Sequence, residues 1–162
     1  MNCIVAVDQN WNIGNKGQLL ISIPEDMSYF RKMTTGKTIV MGRKTFESFP
    51  NQRPLPKRRN IILTNNPEYM VDGAEICTSQ RELFVLLKDT PHHDVFVIGG
   101  GQIYEMLLPF CQKAYVTRIF NEYDADTRFP NLDIDTEWKL VHKSEMKEWN
   151  DVRFEFCEYE HI

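Results

Sequence analysis

Asp94-Val95-Phe96-Val97-Ile98-Gly99-Gly100-Gly101-Gln102-Ile103-Tyr104 decides the fold. A short, unbroken apolar run closed by glycines predicts a strand buried on both faces, as in a parallel sheet. The three glycines then turn the chain into a helix expected from about Gln102 to Leu108. Backbone without side chains at such a turn can approach a diphosphate, and the N–H groups of the new helix can point at it. A tight strand-to-helix connection with no ligand would use the same residues. The full Gly-x-Gly-x-x-Gly fingerprint is not completed, because Tyr104 stands at the third glycine position, and no Walker lysine follows.

Upstream, Thr38 to Met41 followed by Gly42-Arg43-Lys44-Thr45 repeats the same strand-turn-helix arrangement, with the helix running through Ser48. Two cations beside free N–H groups suit a phosphate, although two solvated surface cations would look the same. Two such turns in one sheet suggest two phosphate groups of one nucleotide. Cations where an NAD enzyme more often places an acidic ribose ligand point toward the 2′-phosphate of NADP.

Further strands are expected at Asn2–Val7 and Asn60–Thr64, with a helix over Ser79–Lys88. Strand and helix alternate, which favours a mostly parallel sheet covered on both faces. After Lys113 the pattern changes to three strands, Ala114–Phe120, Trp138–Ser144 and Val152–Tyr159, without long helices between them. An antiparallel finish to the sheet is the expected result. No repeat or linker divides the chain, so residues 1–162 read as a single α/β domain.

Composition narrows the classes of function. With 162 residues, 42% hydrophobic and 26% charged, the chain can build one core and has neither a disordered composition nor a membrane-spanning run. A net charge of -4 gives no global attraction for a nucleic acid. The start of the chain has no cationic leader, and Cys3, Cys77, Cys111 and Cys157 lack zinc or redox spacing. A cytoplasmic protein with reduced, buried thiols is expected, with no metal, no membrane association and, for want of a long apolar surface helix, a monomeric state.

Ser22-Ile23-Pro24-Glu25 reads as a helix start with a capping box, the helix running to about Thr34. On it Asp26 lies between Ile23, Met27 and Phe30, at the spacing of an apolar stripe. A carboxylate on the core side needs specific hydrogen bonds, which a ligand's cationic or amide-like edge could supply. The alternative is that Glu25 and Asp26 both favour the positive end of the helix dipole. A basic, proline-stiffened cluster, Arg53-Pro54-Leu55-Pro56-Lys57-Arg58-Arg59, suits an arginine aimed at a carboxylate better than a nucleic-acid patch on an acidic protein.

In order along the chain, Ile4-Val5-Ala6-Val7-Asp8, Asn12-Ile13-Gly14, Ile23-Pro24-Glu25-Asp26-Met27, Ile39 to Ser48, Arg53 to Thr64, Val97 to Tyr104 and Asp126-Thr127-Arg128-Phe129-Pro130 resemble the dihydrofolate reductase family over almost the whole length. That resemblance implies a single eight-stranded, mostly parallel sheet with an antiparallel carboxyl-terminal strand and about four flanking helices. It implies an oxidoreductase that uses NADPH to reduce dihydrofolate to tetrahydrofolate, with hydride passing to C6 and a proton to N5. Asp26 and Thr117 would form the catalytic pair. Val5, Ala6, Met27, Phe30, Phe49, Leu55, Arg58 and Ile98 would border the substrate, with Arg58 on the glutamate α-carboxylate. Ala6, Ile13, Gly14, Gly17, Gly42, Arg43, Lys44, Thr45, Thr64, Asn65, Gly99, Gly100, Gly101, Gln102, Ile103 and Tyr104 would hold the cofactor. The Gly99–Gly100 bond would be cis, and a loop from about Asp8 to Ile23 would close over the site.

The sequence departs from the family pattern at three places. Leu19-Leu20-Ile21 stands where the family has Leu-Pro-Trp, Pro50-Asn51-Gln52 looks one residue longer before Arg53, and Gln102 replaces an arginine of some members. Competing readings are a same-fold pyrimidine reductase of riboflavin synthesis, which would not need the arginine anchor, and a silent NADP-binding module, suggested by the missing tryptophan.

Overall fold

The computed structural model describes all 162 residues. The strands are β1 (Asn2–Val7), β2 (Asn12–Asn15), β3 (Gln18–Leu19), β4 (Thr38–Gly42), β5 (Arg59–Leu63), β6 (Ala74–Cys77), β7 (Val95–Gly99), β8 (Lys113–Ile119), β9 (Thr127–Arg128), β10 (Trp138–Lys143), β11 (Lys147–Trp149) and β12 (Val152–His161). The helices are α1 (Pro24–Thr34), α2 (Arg43–Glu47), α3 (Gln80–Leu86) and α4 (Gly101–Leu107).

Eight strands form the main sheet in the order β10-β12-β8-β1-β7-β4-β5-β6, and β11 adds to β12 beyond that path. Every pairing from β8 to β6 is parallel, while β12 runs antiparallel to β8, β10 and β11. The alternation of side chains across the pleat explains why the central strands read as unbroken apolar runs. Cys3, Val5 and Val7 of β1 enter the larger cluster, as do Val40, Ile61, Leu63, Val95 and Val97. Their neighbours Ile4, Ile39, Met41, Ile62 and Phe96 enter a second cluster on the opposite face. Leu83 and Leu87, from α3 and its cap, and Tyr104 and Leu107 of α4 close the first face. Phe46 of α2, with Tyr29, Phe30 and Met33 of α1, closes the second.

Two local expectations change. Ser22 does not cap α1; the N-cap is Ile23, without a side-chain bond, and Pro24 occupies the first turn. Ile23 is buried with Ile119 and Phe154, so apolar contact fixes the helix entry. Glu25, the other half of the expected box, instead pairs with Lys147 Nζ at 2.8 Å. The second change is β6, an edge strand of four residues whose single charged member, Glu75, hides its apolar pattern. By contrast Ser79 caps α3, accepting from Glu82 N at 3.1 Å, and Glu82 Oε2 accepts from Thr78 N at 2.7 Å.

The loop after β1 is organised as a small sheet, β3-β2-β9. Its root is the buried Asp8, whose carboxylate accepts from the backbone N–H groups of Asn10, Asn12 and Tyr123 at 2.8, 2.9 and 3.2 Å. Trp11, with φ of 60°, is buried against Phe129 and Tyr159 and lies under the Arg118 guanidinium at 4.6 Å. Farther out, Asp126 accepts from Lys16 N at 2.9 Å and donates its own N–H to Gly14 O at 3.0 Å. All four cysteines are buried and unpaired. No helix is long and apolar enough to cross a membrane.

Candidate active site

At the carboxyl ends of β4, β5, β6 and β7 a cavity of about 650 Å³ opens between the starts of α2 and α4. Ligands of open α/β sheets bind in this position. Gly42, Arg43, Lys44 and Thr45 form one wall, Gly100, Gly101, Gln102 and Ile103 a second, and Leu63, Thr64, Asn65, Asn66, Thr78 and Ser79 a third. Met106 and Thr127 complete it, so only Leu63, Ile103 and Met106 are apolar among the lining residues.

The polarity has a local cause. Neither α2 nor α4 has a side-chain cap, since their N-caps are Gly42 and Gly100, and the first-turn N–H groups are left without side-chain acceptors. With Arg43 and Lys44 beside them, they suit the oxygens of a phosphorylated dinucleotide. Space is tight where the two helix starts meet the rest of the chain, more so at Gly101 than at Gly42. A Cβ on Gly42 would lie 3.0 Å from Ile103 Cγ1, and one on Gly101 would lie 2.6 Å from Thr127 Cγ2. The Gly99–Gly100 peptide is cis, as the resemblance implied.

Ten of the sixteen residues assigned to the cofactor thus line this cavity: Gly42, Arg43, Lys44, Thr45, Thr64, Asn65, Gly100, Gly101, Gln102 and Ile103. The other six do not. Tyr104 is buried beneath it and donates to Ile4 O at 2.6 Å, beside Gly99. Ala6 packs near Ile23 and Ile119, while Ile13 packs against the larger cluster. Gly14 is held in β2 by β9, and Gly17, with φ of 76°, forms the exposed β2–β3 turn. Sequence reasoning misses Thr78 and Ser79 because it misses β6. Once that strand is seen, they form a third strand-to-helix turn, one capped by Ser79 where the other two are left open by glycine.

On the α1 side, the Thr117 hydroxyl of β8 donates to Asp26 Oδ1 at 2.6 Å. Thr117 is buried opposite Ala6 of β1 and Phe156 of β12. Burial pushes the Asp26 carboxyl above its ordinary 3.8, and the Thr117 hydrogen bond opposes the rise. Phe30, Phe49, Leu55 and Ile98 are half-buried around the second cluster, and Met27 is exposed on the same helix. Val5 sends its side chain into the larger cluster on the other face, which leaves its main chain as its offering on the Asp26 side. Ile21, in place of the family's tryptophan, packs beside Ile23, Ile119 and Phe154.

Arg58 lies at the far end of α1. Its Nε donates to Pro56 O at 2.9 Å and its Nη1 to Thr34 Oγ1 at 3.1 Å, with no carboxylate partner. Burial, and then the charge of Arg31, lowers its affinity for a proton, so a bound carboxylate would relieve an uncompensated cation. Asn60 clamps the loop behind it. Its amide accepts from Leu55 N and donates to Leu55 O and Arg58 O, each at 3.0 Å. The lengthened segment before Arg53 becomes a tight turn with Asn51 and Gln52 at φ of 57° and 48°.

A parallel sheet that presents glycine turns and cations at its carboxyl ends, next to a half-buried acid, defines the class of open α/β proteins that bind phosphorylated dinucleotides. The chain belongs to the dihydrofolate reductase family, whose profile matches residues 1–161. It is 38% identical over 159 residues to the dihydrofolate reductase of Bacillus subtilis, covering 97% of this chain and 92% of that one. With the dihydrofolate reductase of Staphylococcus haemolyticus it shares 38% identity over 164 residues, covering 100% of this chain and 96% of the relative. The fold matches the structure of Enterococcus faecalis dihydrofolate reductase complexed with NADP(H) and RAB-propyl. The TM-score is 0.84 at 31% identity, covering 99% of this chain and 95% of the other.

Proposed function

We propose that this protein is an NADPH-dependent dihydrofolate reductase that converts 7,8-dihydrofolate to 5,6,7,8-tetrahydrofolate, with residues 1–162 acting as one domain. The observation that carries the reading is the Asp26–Thr117 pair, a half-buried carboxylate held at 2.6 Å on the side of the sheet walled by Phe30, Phe49 and Leu55. Bound NADPH supplies the hydride that goes to C6 as a proton reaches N5.

Asp26 accepts hydrogen bonds from the amino group and N3 of the pteridine and fixes its face, while Thr117 orients the carboxylate. Met27, Phe30, Phe49, Leu55 and Ile98 exclude water around the rings, with the main chain of Val5 and Ala6 at their edge. Arg58 offers its free Nη2 to the glutamate α-carboxylate. Arg43, Lys44, Thr45, Thr64 and Asn65 surround the 2′-phosphate end of the cofactor. Gly42 and Gly99 to Ile103 cradle its diphosphate, and Ile13, Gly14, Gly17 and Tyr104 belong to its nicotinamide end. The segment from Asp8 to Ile23, held by the Asp126 contacts, closes over that end. The carboxylate anchor at Arg58 favours this substrate over a pyrimidine intermediate of riboflavin synthesis, which has no glutamate tail to hold.

The protein acts as a cytoplasmic monomer without nucleic-acid partners. The four unpaired thiols support the reducing compartment, and the net charge of -4 supports the lack of attraction to polyanions. The deciding experiment follows NADPH absorbance with and without dihydrofolate. Substrate-dependent loss of the band is expected, and its absence at saturating concentrations of both would reject the assignment.

A further inference from the structure

Arg43 is not a free cation at the edge of the cavity. Its Nη1 donates to Glu47 Oε1 at 2.7 Å, one turn farther along α2. The other oxygen, Glu47 Oε2, accepts from the Tyr69 hydroxyl at 3.3 Å. Neither Glu47 nor Tyr69 lines the cavity that Arg43 lines. Burial, and then the charge of Glu47, pushes the Tyr69 phenol up, so it remains a donor.

The loop that carries Tyr69 also carries Thr64 and Asn65, which form the opposite wall of the cavity. That loop is fixed by its own bonds: Asn66 N to Thr64 Oγ1 at 3.2 Å, Glu68 N to Asn66 Oδ1 at 3.0 Å and Tyr69 N to Asn66 O at 3.1 Å. The chain Tyr69–Glu47–Arg43 therefore ties one wall to the other from behind. A guanidinium has five N–H donors in a rigid fork. Glu47 engages one end and leaves Nη2 and Nε for a phosphate. Lys44, by comparison, is exposed and has no ion-pair partner.

We propose that Glu47 and Tyr69 are positioning residues that hold the Arg43 fork toward the cavity and thereby set the preference for a 2′-phosphorylated cofactor. This rests on the reading that Arg43 meets the 2′-phosphate. Holding the side chain in place beforehand removes the ordering that phosphate binding would otherwise impose on a half-exposed arginine. The benefit exists only for a ligand with a group at that position.

The test measures kcat/KM with NADPH and with NADH for wild type, Arg43→Ala, Glu47→Ala, Glu47→Gln and Tyr69→Phe, with thermal melts to confirm folding. Arg43→Ala should cut the ratio of the two values by about thirtyfold, the scale of a lost charge-assisted contact. Glu47→Ala should cut it by about fivefold, and Tyr69→Phe by about twofold, as expected for loss of one neutral or indirect hydrogen bond. Glu47→Gln, which keeps one acceptor oxygen for Arg43 and turns its amide N–H toward the Tyr69 oxygen, should recover part of the loss. An unchanged or raised ratio in Glu47→Ala, with the loss intact in Arg43→Ala, overturns the positioning role alone. Equal losses with both cofactors would mean simple structural damage and would also overturn it. A ratio unmoved by Arg43→Ala would reject the phosphate contact and the positioning role together.

Discussion

The cofactor cavity is made from the first turns of two short helices and a loop, most of its donors being backbone or hydroxyl groups. The substrate side hangs instead on single side chains: a carboxylate from α1, a hydroxyl from β8 and a guanidinium from the loop before β5. The difference teaches where each half is vulnerable. A surface of many N–H groups keeps most of its hold on a diphosphate when one side chain changes, Arg43 at the 2′-phosphate being the exception, but cannot tolerate a displaced backbone. A site with one acid and one arginine fails when either is removed, while the fold around it persists.

Asp26→Asn should show the largest effect, cutting turnover by about a hundredfold or more at pH 7. NADPH binding, read by titration, should be unchanged. The same substitution should not lower the melting temperature. The folded-state pKa of Asp26 is raised, so its ionised form opposes folding; that cost is full above the folded pKa and vanishes below the ordinary 3.8. A neutral amide at this position escapes the cost. The variant should therefore melt at or above wild type at pH 7, with the difference closing as the medium is acidified. A large loss of stability at pH 7 would show that the acid is structural.

Arg58→Ala should raise the KM for dihydrofolate by about tenfold or more, as for loss of a charge-assisted pair, and leave the KM for NADPH in place. Equal effects on both would erase the division between the halves. Gly101→Ala should act the other way. Its Cβ would sit 2.6 Å from Thr127 Cγ2, so overpacking should cost about 1–2 kcal/mol of stability and displace the helix start. Chemical denaturation would measure the cost, and adding Thr127→Ser, which removes the offending methyl, should restore most of it. A Gly101→Ala protein as stable as wild type and equally tight for NADPH would mean that the turn gives way easily.

The two halves also differ in how far they can be read from the sequence. Val95 to Gly101 and Thr38 to Thr45 are local, since strand, glycine and helix follow one another within a short stretch and carry their own period. Asp26 is visible only as an acid on an apolar stripe, and residue spacing leaves it open to the helix-dipole explanation. Its partner Thr117 lies 91 residues away, and no local pattern joins them. Thr78 and Ser79 are hidden behind an edge strand too short to show alternation. Ser22 misleads because a capping box is a pattern of side chains, whereas burial of Ile23 decides where α1 begins. Glu47 and Tyr69 cannot be singled out, since their role depends on a loop folding back to meet α2.

Trp11 adds an optical consequence to the loop's architecture. The chain has three indoles, and the loop's other expected one is replaced by Ile21. Trp11 sits at the loop root between an aromatic wall and the Arg118 cation, while Trp138 is stacked on His161 and Trp149 lies in β11. Replacing those two by phenylalanine would leave a single emitter whose colour and quenching report the opening of the loop in real time, without any dye.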